Sequence, residues 1–529
     1  MMVPSSGSTS LFAGAGTAIL TLPSLDLSDD EQMAFQWLMG RLFSVRPYLE
    51  LRNLYYDGLQ KMTDLGISIP PSLAGLRTVI GWPGVGIDAI DERCQVEGFR
   101  YPGKTEVDDD LQGIWQANNL DGEGQLAQID SLIYGRSYLV IGPNDDDSSG
   151  PPLITAESPI NMIATWDART RKATSGLQVY LDTNFVSDTY GQEVAALYLQ
   201  GRTIFMSRDN TAGGTFTGKN DWQITDRDDH GMDPPIVRMA NRQRLANRGG
   251  LSEITPAWMN ITDAACRTML GMEVGREFFA APRRYALGVS EEAFQKADGT
   301  KIGAWESYMQ KMFAIPFDED GNIPQVGEFK SGDPSVYTKL IDAYTKIMSG
   351  LTCLPSKYLG LESQGNPASA DAIRSDLERL VRRCVRKQIG WGEAYEDGVR
   401  MALLVRGGKL PANADRLETS WLDPSPQTIA QTTDAVVKQI ESGAVPATSN
   451  VVLKRLGYTA AERAQMVEDR KKDDAQQKLE ELAHQELLKT FRAANAVQGD
   501  QQKVAAPAAG PVPAAPKKQP IPAPPVAAK

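Results

Sequence analysis

The chain has 529 residues, 41% of them apolar and 23% charged, a globular composition long enough for about two to four domains. Its net charge of −12 argues against a surface built to grip nucleic acid tightly, because neutralising phosphates drives such binding, but it does not exclude a protein that DNA slides past. Cys94, Cys266, Cys353 and Cys384 contain no CxxC pair, and His230 and His484 are the two histidines, so disulfide frameworks, zinc sites and histidine-based triads are not expected.

Residues 1–27 read as a flexible arm rich in Ser, Gly and Thr. No Lys or Arg precedes Arg41, so Leu11–Leu22 lacks the basic flank of a signal peptide, and no apolar run is long enough to predict a membrane-spanning helix. Ser28-Asp29-Asp30-Glu31 has capping-box form and predicts a helix carrying Met33, Trp37, Leu38 and Leu42 as far as Arg46, where Pro47 should interrupt it. Tyr55-Tyr56-Asp57-Gly58 reads as a turn after a second short helix. Helical spacing follows from 75 to 140, with Ile80, Ile87, Ile90 and Asp91 in one such stretch.

Leu132–Ile141 switches to β-type residues and predicts a strand, and 144–152 a hairpin-like turn. Further strands are expected at Leu153–Thr155, Met162–Trp166, Leu177–Tyr180, Ala195–Tyr198, Thr203–Met206, Trp222–Thr225 and Ile236–Met239, a β-rich module with Gly-, Asp- and Asn-rich connections. Thr255-Pro256 is an N-cap followed by proline at the first helical position, and its helix should end at Ala281 before Pro282. Residues 282–332 mix short strands with a helix around 304–313 and a hairpin tip at 318–322. Asp333-Pro334 repeats the helix-start device, with a helix to Gly350. A small α/β insert thus stands between two helices that leave and return.

Leu359–Ala370 is a polar loop. In the long helix that follows, Ile373, Leu377, Leu380, Val381, Cys384, Val385 and Ile389 are placed on one face, with Arg374, Arg379, Arg382, Arg383, Arg386 and Lys387 largely elsewhere. A helical block covers 426–495, with helices near 426–442, 449–456 and 459–494, the last opened by the capping box Thr459–Glu462. Residues 499–529 are an Ala/Pro/Lys-rich tail without a core.

Gly213–Asn220 nearly matches a phosphate-binding loop. Asn220 replaces the hydroxyl that binds magnesium, and β-type flanks stand where a helix should open, so a hairpin turn is preferred. Asp145–Asp147, and Asp226, Asp228 and Asp229 with His230, lack EF-hand spacing and read as acidic turns. The basic residues of 374–387 could meet phosphate or another subunit. No aromatics are interleaved to stack bases, and the protein face is preferred. No G-x-S-x-G, HExxH or GxGxxG after a strand is present, so no catalytic site, cofactor or metal is expected, and the fold class is α+β.

The order of segments resembles the portal family of siphovirus-type tailed phages. Tyr55-Tyr56-Asp57-Gly58 is similar to the family's early Y-Y-x-G element, and Val96-Glu97-Gly98-Phe99 to its x-G-F turn. Residues 132–142 (LIYGRSYLVIG), then Glu157-Ser158-Pro159 and Asp167, resemble its central run. Pro235–Asn241 with Gly250–Ile254 resemble the entry to the stem helix, and Pro282–Tyr285 with Gly288 its exit. Leu354-Pro355, Leu359-Gly360 and Ala368–Arg383 resemble the loop and helix beyond.

The resemblance implies a ring of about twelve copies with closed rotational symmetry. It also implies a portal fold with β-rich wing, two-helix stem, small α/β clip and helical crown. The corresponding ranges are an arm at 1–27, wing at 28–254, stem helix at 255–281, clip at 282–332 and stem helix at 333–350. A tunnel loop and long wing helix occupy 351–425, the crown 426–498 and the tail 499–529; the arm and tail match nothing in the family pattern. Leu359, Glu362, Ser363, Gln364, Gly365 and Asn366 would face DNA, and Arg374, Arg379, Arg382, Arg383 and Arg386 would touch DNA or another subunit. Implied partners are double-stranded DNA in the channel, the terminase that supplies the ATPase, a head-completion adaptor, and major capsid and scaffold proteins, without a membrane. The implied place is the capsid vertex of the virion, after assembly in the host cytoplasm, and the implied work is genome packaging, head–tail joining and DNA ejection. The alternatives are another head structural protein, such as a minor capsid component, or, less favoured, a nucleotide-binding enzyme.

Overall fold

The computed structural model describes residues 26–61, 78–104, 107–144, 150–209, 222–279, 284–287, 325–328, 333–360, 370–425 and 429–501. The chain divides into two compact units, residues 1–426 and 427–529.

The first unit opens on helix α1, Asp29–Tyr56. The expected capping box is present: Ser28 N–H donates to Glu31 Oε2 at 2.9 Å and Glu31 N–H to Ser28 Oγ at 3.4 Å. The expected break at Pro47 is not; one helix passes through the proline and Tyr55 and Tyr56 close it. Proline removes one donor and crowds the preceding turn. Packing offsets this, because Phe35, Leu38, Met39 and Leu42 are buried in one core and Leu49 and Tyr55 in another. Pro47→Ala, which restores the donor, should therefore raise stability by about 1–3 kcal/mol in denaturant titration. A lowered midpoint would show that the packing requires the proline.

Strands β4 (Met162–Trp166), β5 (Ala173–Leu181), β6 (Gln192–Leu199), β7 (Arg202–Asp209) and β8 (Gln223–Asp228) form a five-stranded antiparallel sheet in sequence order. Alternation along β6 sends Ala195 and Leu197 toward α1, and Ala196 and Tyr198 toward a second sheet. That sheet has the order β3-β2-β9, from Arg136–Gly142 (β2), Leu153–Glu157 (β3) and Ile236–Ala240 (β9). Tyr138 of β2 stacks on Trp166 with ring centroids 5.9 Å apart. The reverse face of β2, Leu139 and Ile141, meets a helical core.

The helices of that core are α2 (Trp82–Asp91), α3 (Asp109–Ala117) and α4 (Leu120–Tyr134). Leu132-Ile133-Tyr134, expected in a strand, are the last residues of α4. Gly135, at φ +96°, ends the helix and β2 begins at Arg136. Large apolar residues suit a buried helix as well as a strand, and the glycine decides between them. Strands β1 (Val96–Arg100) and β12 (Glu418–Trp421) pair antiparallel across the length of the unit and were not expected.

Helices α5 (Pro256–Phe279) and α6 (Ser335–Thr352) pack together. Beyond them, Arg284–Leu287 (β10) pairs antiparallel with Gln325–Glu328 (β11). The helix expected at 304–313 and the tip at 318–322 lie outside the described residues, as do the arm to residue 25 and the tail from residue 502.

Helix α7, Ala370–Gly407, buries Leu377, Leu380, Cys384, Trp391, Tyr395 and Val399. Val385 and Ile389, expected on this face, are 41% and 62% exposed. Steps of four drift about 40° around a helix while steps of seven return to within about 20°, so 377, 384 and 391 stay inward, 381 is half-buried, and 385 and 389 rotate out.

The second unit contains α8 (Ile429–Glu441), α9 (Asn450–Arg455) and α10 (Ala460–Gln501). Thr459 N–H donates to Glu462 Oε2 at 2.8 Å and Glu462 N–H to Thr459 Oγ1 at 3.3 Å, the capping box read from the sequence. Val436, Val452 and Leu453 are its buried apolar residues among those described.

Candidate functional site

A buried charge constellation lies where β9, the segment before α5 and α7 meet. Gly250 sits at φ +90°, and the turn it permits laces residues 250–255 onto the chain. Leu251 N–H donates to Asn241 O at 2.8 Å, Glu253 N–H to Leu132 O at 2.9 Å, and Ile254 N–H to Ser252 Oγ at 2.9 Å. These bonds turn the Glu253 side chain fully inward. Lys387, itself buried, donates to Glu253 Oε1 and to Asn241 Oδ1. Arg383 donates to Glu253 Oε2 and to the Thr352 carbonyl, and Arg242 stands 3.7 Å from the same carboxylate.

Burial alone would raise the Glu253 carboxyl. The charges of Lys387, Arg383 and Arg242 outweigh it and hold the group at about 2. Burial pulls the Lys387 ammonium below its ordinary value, and Glu253 opposes that pull. Beside this cluster opens a cavity of about 710 Å³, lined by six cationic side chains (Arg52, Arg242, Arg244, Arg383, Arg386, Lys387) and by Glu253.

The basic residues read from the sequence therefore divide. Arg383 and Lys387 are engaged within their own chain. Arg382 is exposed and pairs with Glu378 at 2.5 Å. Arg379 and Arg386 are exposed, and Arg386 lines the cavity. Arg374 lies near the start of α7, where only the backbone is described. Glu253 and Asn241 were not singled out as site residues. The available signal was a lone acid in Leu251-Ser252-Glu253-Ile254 just ahead of Thr255-Pro256, and Lys387 seven residues from Leu380 on the inward line.

In the predicted loop, Leu359 closes a short 3-10 turn at Ser356–Leu359, and its carbonyl accepts from Trp82 Nε1 at 3.2 Å. Gly360 follows at φ +89°. Glu362, Ser363, Gln364, Gly365 and Asn366 lie outside the described residues, as do Asp145–Asp147 and Gly213–Asn220. The two tyrosines of 55–58 tie α1 to its neighbours: Tyr55 Oη donates to Asp263 at 2.7 Å and Tyr56 Oη to Asp88 at 2.9 Å. His230 serves a turn, its Nδ1 accepting from Met232 N–H at 3.1 Å. Among the described residues no group of His, Cys, Asp and Glu is arranged to hold a metal ion, and no helix is long and apolar enough to cross a membrane.

Residues 42–485 match the family model described as phage portal protein, SPP1 Gp6-like. The portal protein of Mycobacterium phage D29 is 32% identical over 454 residues, covering 84% of this chain and 90% of that protein. The portal protein of Mycobacterium phage L5 is 30% identical over 454 residues, covering 84% and 89%.

Proposed function

The chain belongs to the SPP1 Gp6-like phage portal protein family, and from that premise we propose how its segments make a DNA channel. Members are virion components that work as capsid-associated oligomeric rings, structural rather than enzymatic. The observation that carries the reading is the family match across most of the chain, with relatives of the same name along nearly their whole length.

The proposed ring holds about twelve copies related by closed rotation, so each subunit offers two different flanks to its neighbours. The sheets, α1–α4 and α7 form the wing, 28–254 with 351–425. Helices α5 and α6 form the stem, 282–332 the clip and 426–498 the crown. The clip meets the terminase and the head-completion adaptor, while major capsid and scaffold proteins surround the ring. Terminase supplies the hydrolysis, assembly takes place in the host cytoplasm, and the ring serves packaging, head–tail joining and ejection.

Residues 362–366 form the loop facing double-stranded DNA, and Leu359, expected to face it too, is instead only 6% exposed within the core and holds the base of the loop. What supports this is its position between α6 and α7, with Leu359 anchored by Trp82. Of the arginines, Arg379, Arg382 and Arg386 serve ring contacts more than DNA, and Arg374 is assigned with them.

Mass photometry of the purified chain should find a closed ring; a monomer under every condition tried would refute the ring. Deleting Glu362–Asn366 should leave rings intact and abolish DNA packaging. Normal packaging by that variant would refute the tunnel-loop assignment.

A further inference from the structure

We propose that the basic cavity beside Glu253 is a socket that receives carboxylate side chains from the neighbouring copy of this chain in the ring. The inference rests on the ring proposed above.

Within one subunit the cavity is unbalanced. Six cations line it against one carboxylate, in a chain whose net charge is −12. Glu253 is already committed to Lys387, Arg383 and Arg242. Arg52, Arg244 and Arg386 have no carboxylate partner among the described residues. Arg52 is held among like charge: burial and the nearby Arg136 lower its guanidinium from the ordinary value. An incoming anion would relieve that environment.

The surroundings select the kind of anion. Ile389, which lines the cavity, is 62% exposed, and Leu245, next to Arg244 in sequence, is 85% exposed. A protein surface offers apolar side chains together with carboxylates, whereas a nucleic-acid backbone offers phosphates and polar sugars. A closed ring of identical subunits joins unlike flanks, so a basic socket on one flank calls for an acidic patch on the other. The chain has that acid to spare, with 67 Asp and Glu against 55 Lys and Arg.

The test compares wild type, the double reversal Arg244→Glu/Arg386→Glu, and a chain with photoreactive p-benzoylphenylalanine in place of Leu245. Both reversed positions lie outside the Glu253 ion cluster. Circular dichroism checks the fold, and mass photometry over a salt series reads assembly. The double reversal should weaken ring association at least about tenfold. The photoreactive chain should crosslink between subunits, to a peptide rich in Asp or Glu. Unchanged assembly together with crosslinks confined to one subunit would overturn the socket and leave the ring standing. Crosslinking to added duplex DNA instead of a second subunit would overturn it in favour of a phosphate site. Absence of rings in the wild type would remove the ring and the socket together. If the double reversal unfolds, the Leu245 crosslink decides the question with every native charge in place.

Discussion

Glu253→Gln should cost the first unit about 3–5 kcal/mol, because it leaves the Lys387 ammonium buried with its countercharge gone. The carboxylate is fully buried and the ammonium 6% exposed, so water cannot replace either partner. Arg383, at 21% exposed, can turn outward, which makes Lys387 the group that bears the loss. Adding Lys387→Met should recover most of the stability, since an apolar pair of similar volume has no charge to desolvate.

The same carboxylate sets an acid limb. Its folded value of about 2 lies below the ordinary 4.5, so the group contributes stability that is fully present above pH 4.5 and is lost as pH falls toward 2. Urea titrations across that range should show a steep acid loss in the wild type and a shallower one in Glu253→Gln. A variant within about 0.5 kcal/mol of wild type, with an unchanged acid limb, would exclude the ion cluster as a stabilising element.

Gly250→Ala should be comparably severe, at least about 3 kcal/mol, through backbone geometry alone. Its φ of +90° disfavours any side chain, and an added Cβ would stand 1.9 Å from the Gly135 carbonyl oxygen. Gly135 is hemmed in reciprocally: its own Cβ would meet Leu251 C and Ser252 N at 2.8 Å. These are main-chain atoms that no rotamer change can move aside, and shifting them would displace Glu253 from Lys387. Gly191→Ala is the control. It too has positive φ, +76°, but open space around it, so it should lose only about 1–2 kcal/mol. Equal losses at both positions in denaturant titration would show that φ, and not the close approach, matters at Gly250.

Much of the fold was legible where the signal lies within one turn of chain. The capping boxes at Ser28 and Thr459 and the starts at Thr255-Pro256 and Asp333-Pro334 are local chemistry, and each opens a helix. Strand Met162–Trp166 occupies its expected residues, the others expected from Leu153 onward exceed theirs by a few residues, and β8 starts at Gln223, one residue after the expected Trp222. The α+β class follows from the same local signals, and the ordered likeness of weak motifs to the portal family agrees with the family match over residues 42–485. The candidate site was less legible. Arg383 and Lys387 were visible as part of a basic helix, but that they turn inward to Glu253 was not.

The sequence alone thus determined where helices start, where the β-rich module lies and which family the chain resembles, because capping, proline and strand alternation act between neighbours along the chain. Tertiary structure decided that α1 passes through Pro47, that β1 finds β12, and that Val385 and Ile389 face outward. It also decided that Glu253 and Lys387, 134 residues apart, share one buried site. Each of these outcomes depends on what packs opposite. Burial and Coulomb attraction between distant segments outweigh local preference there, and neither is written into any short stretch of residues.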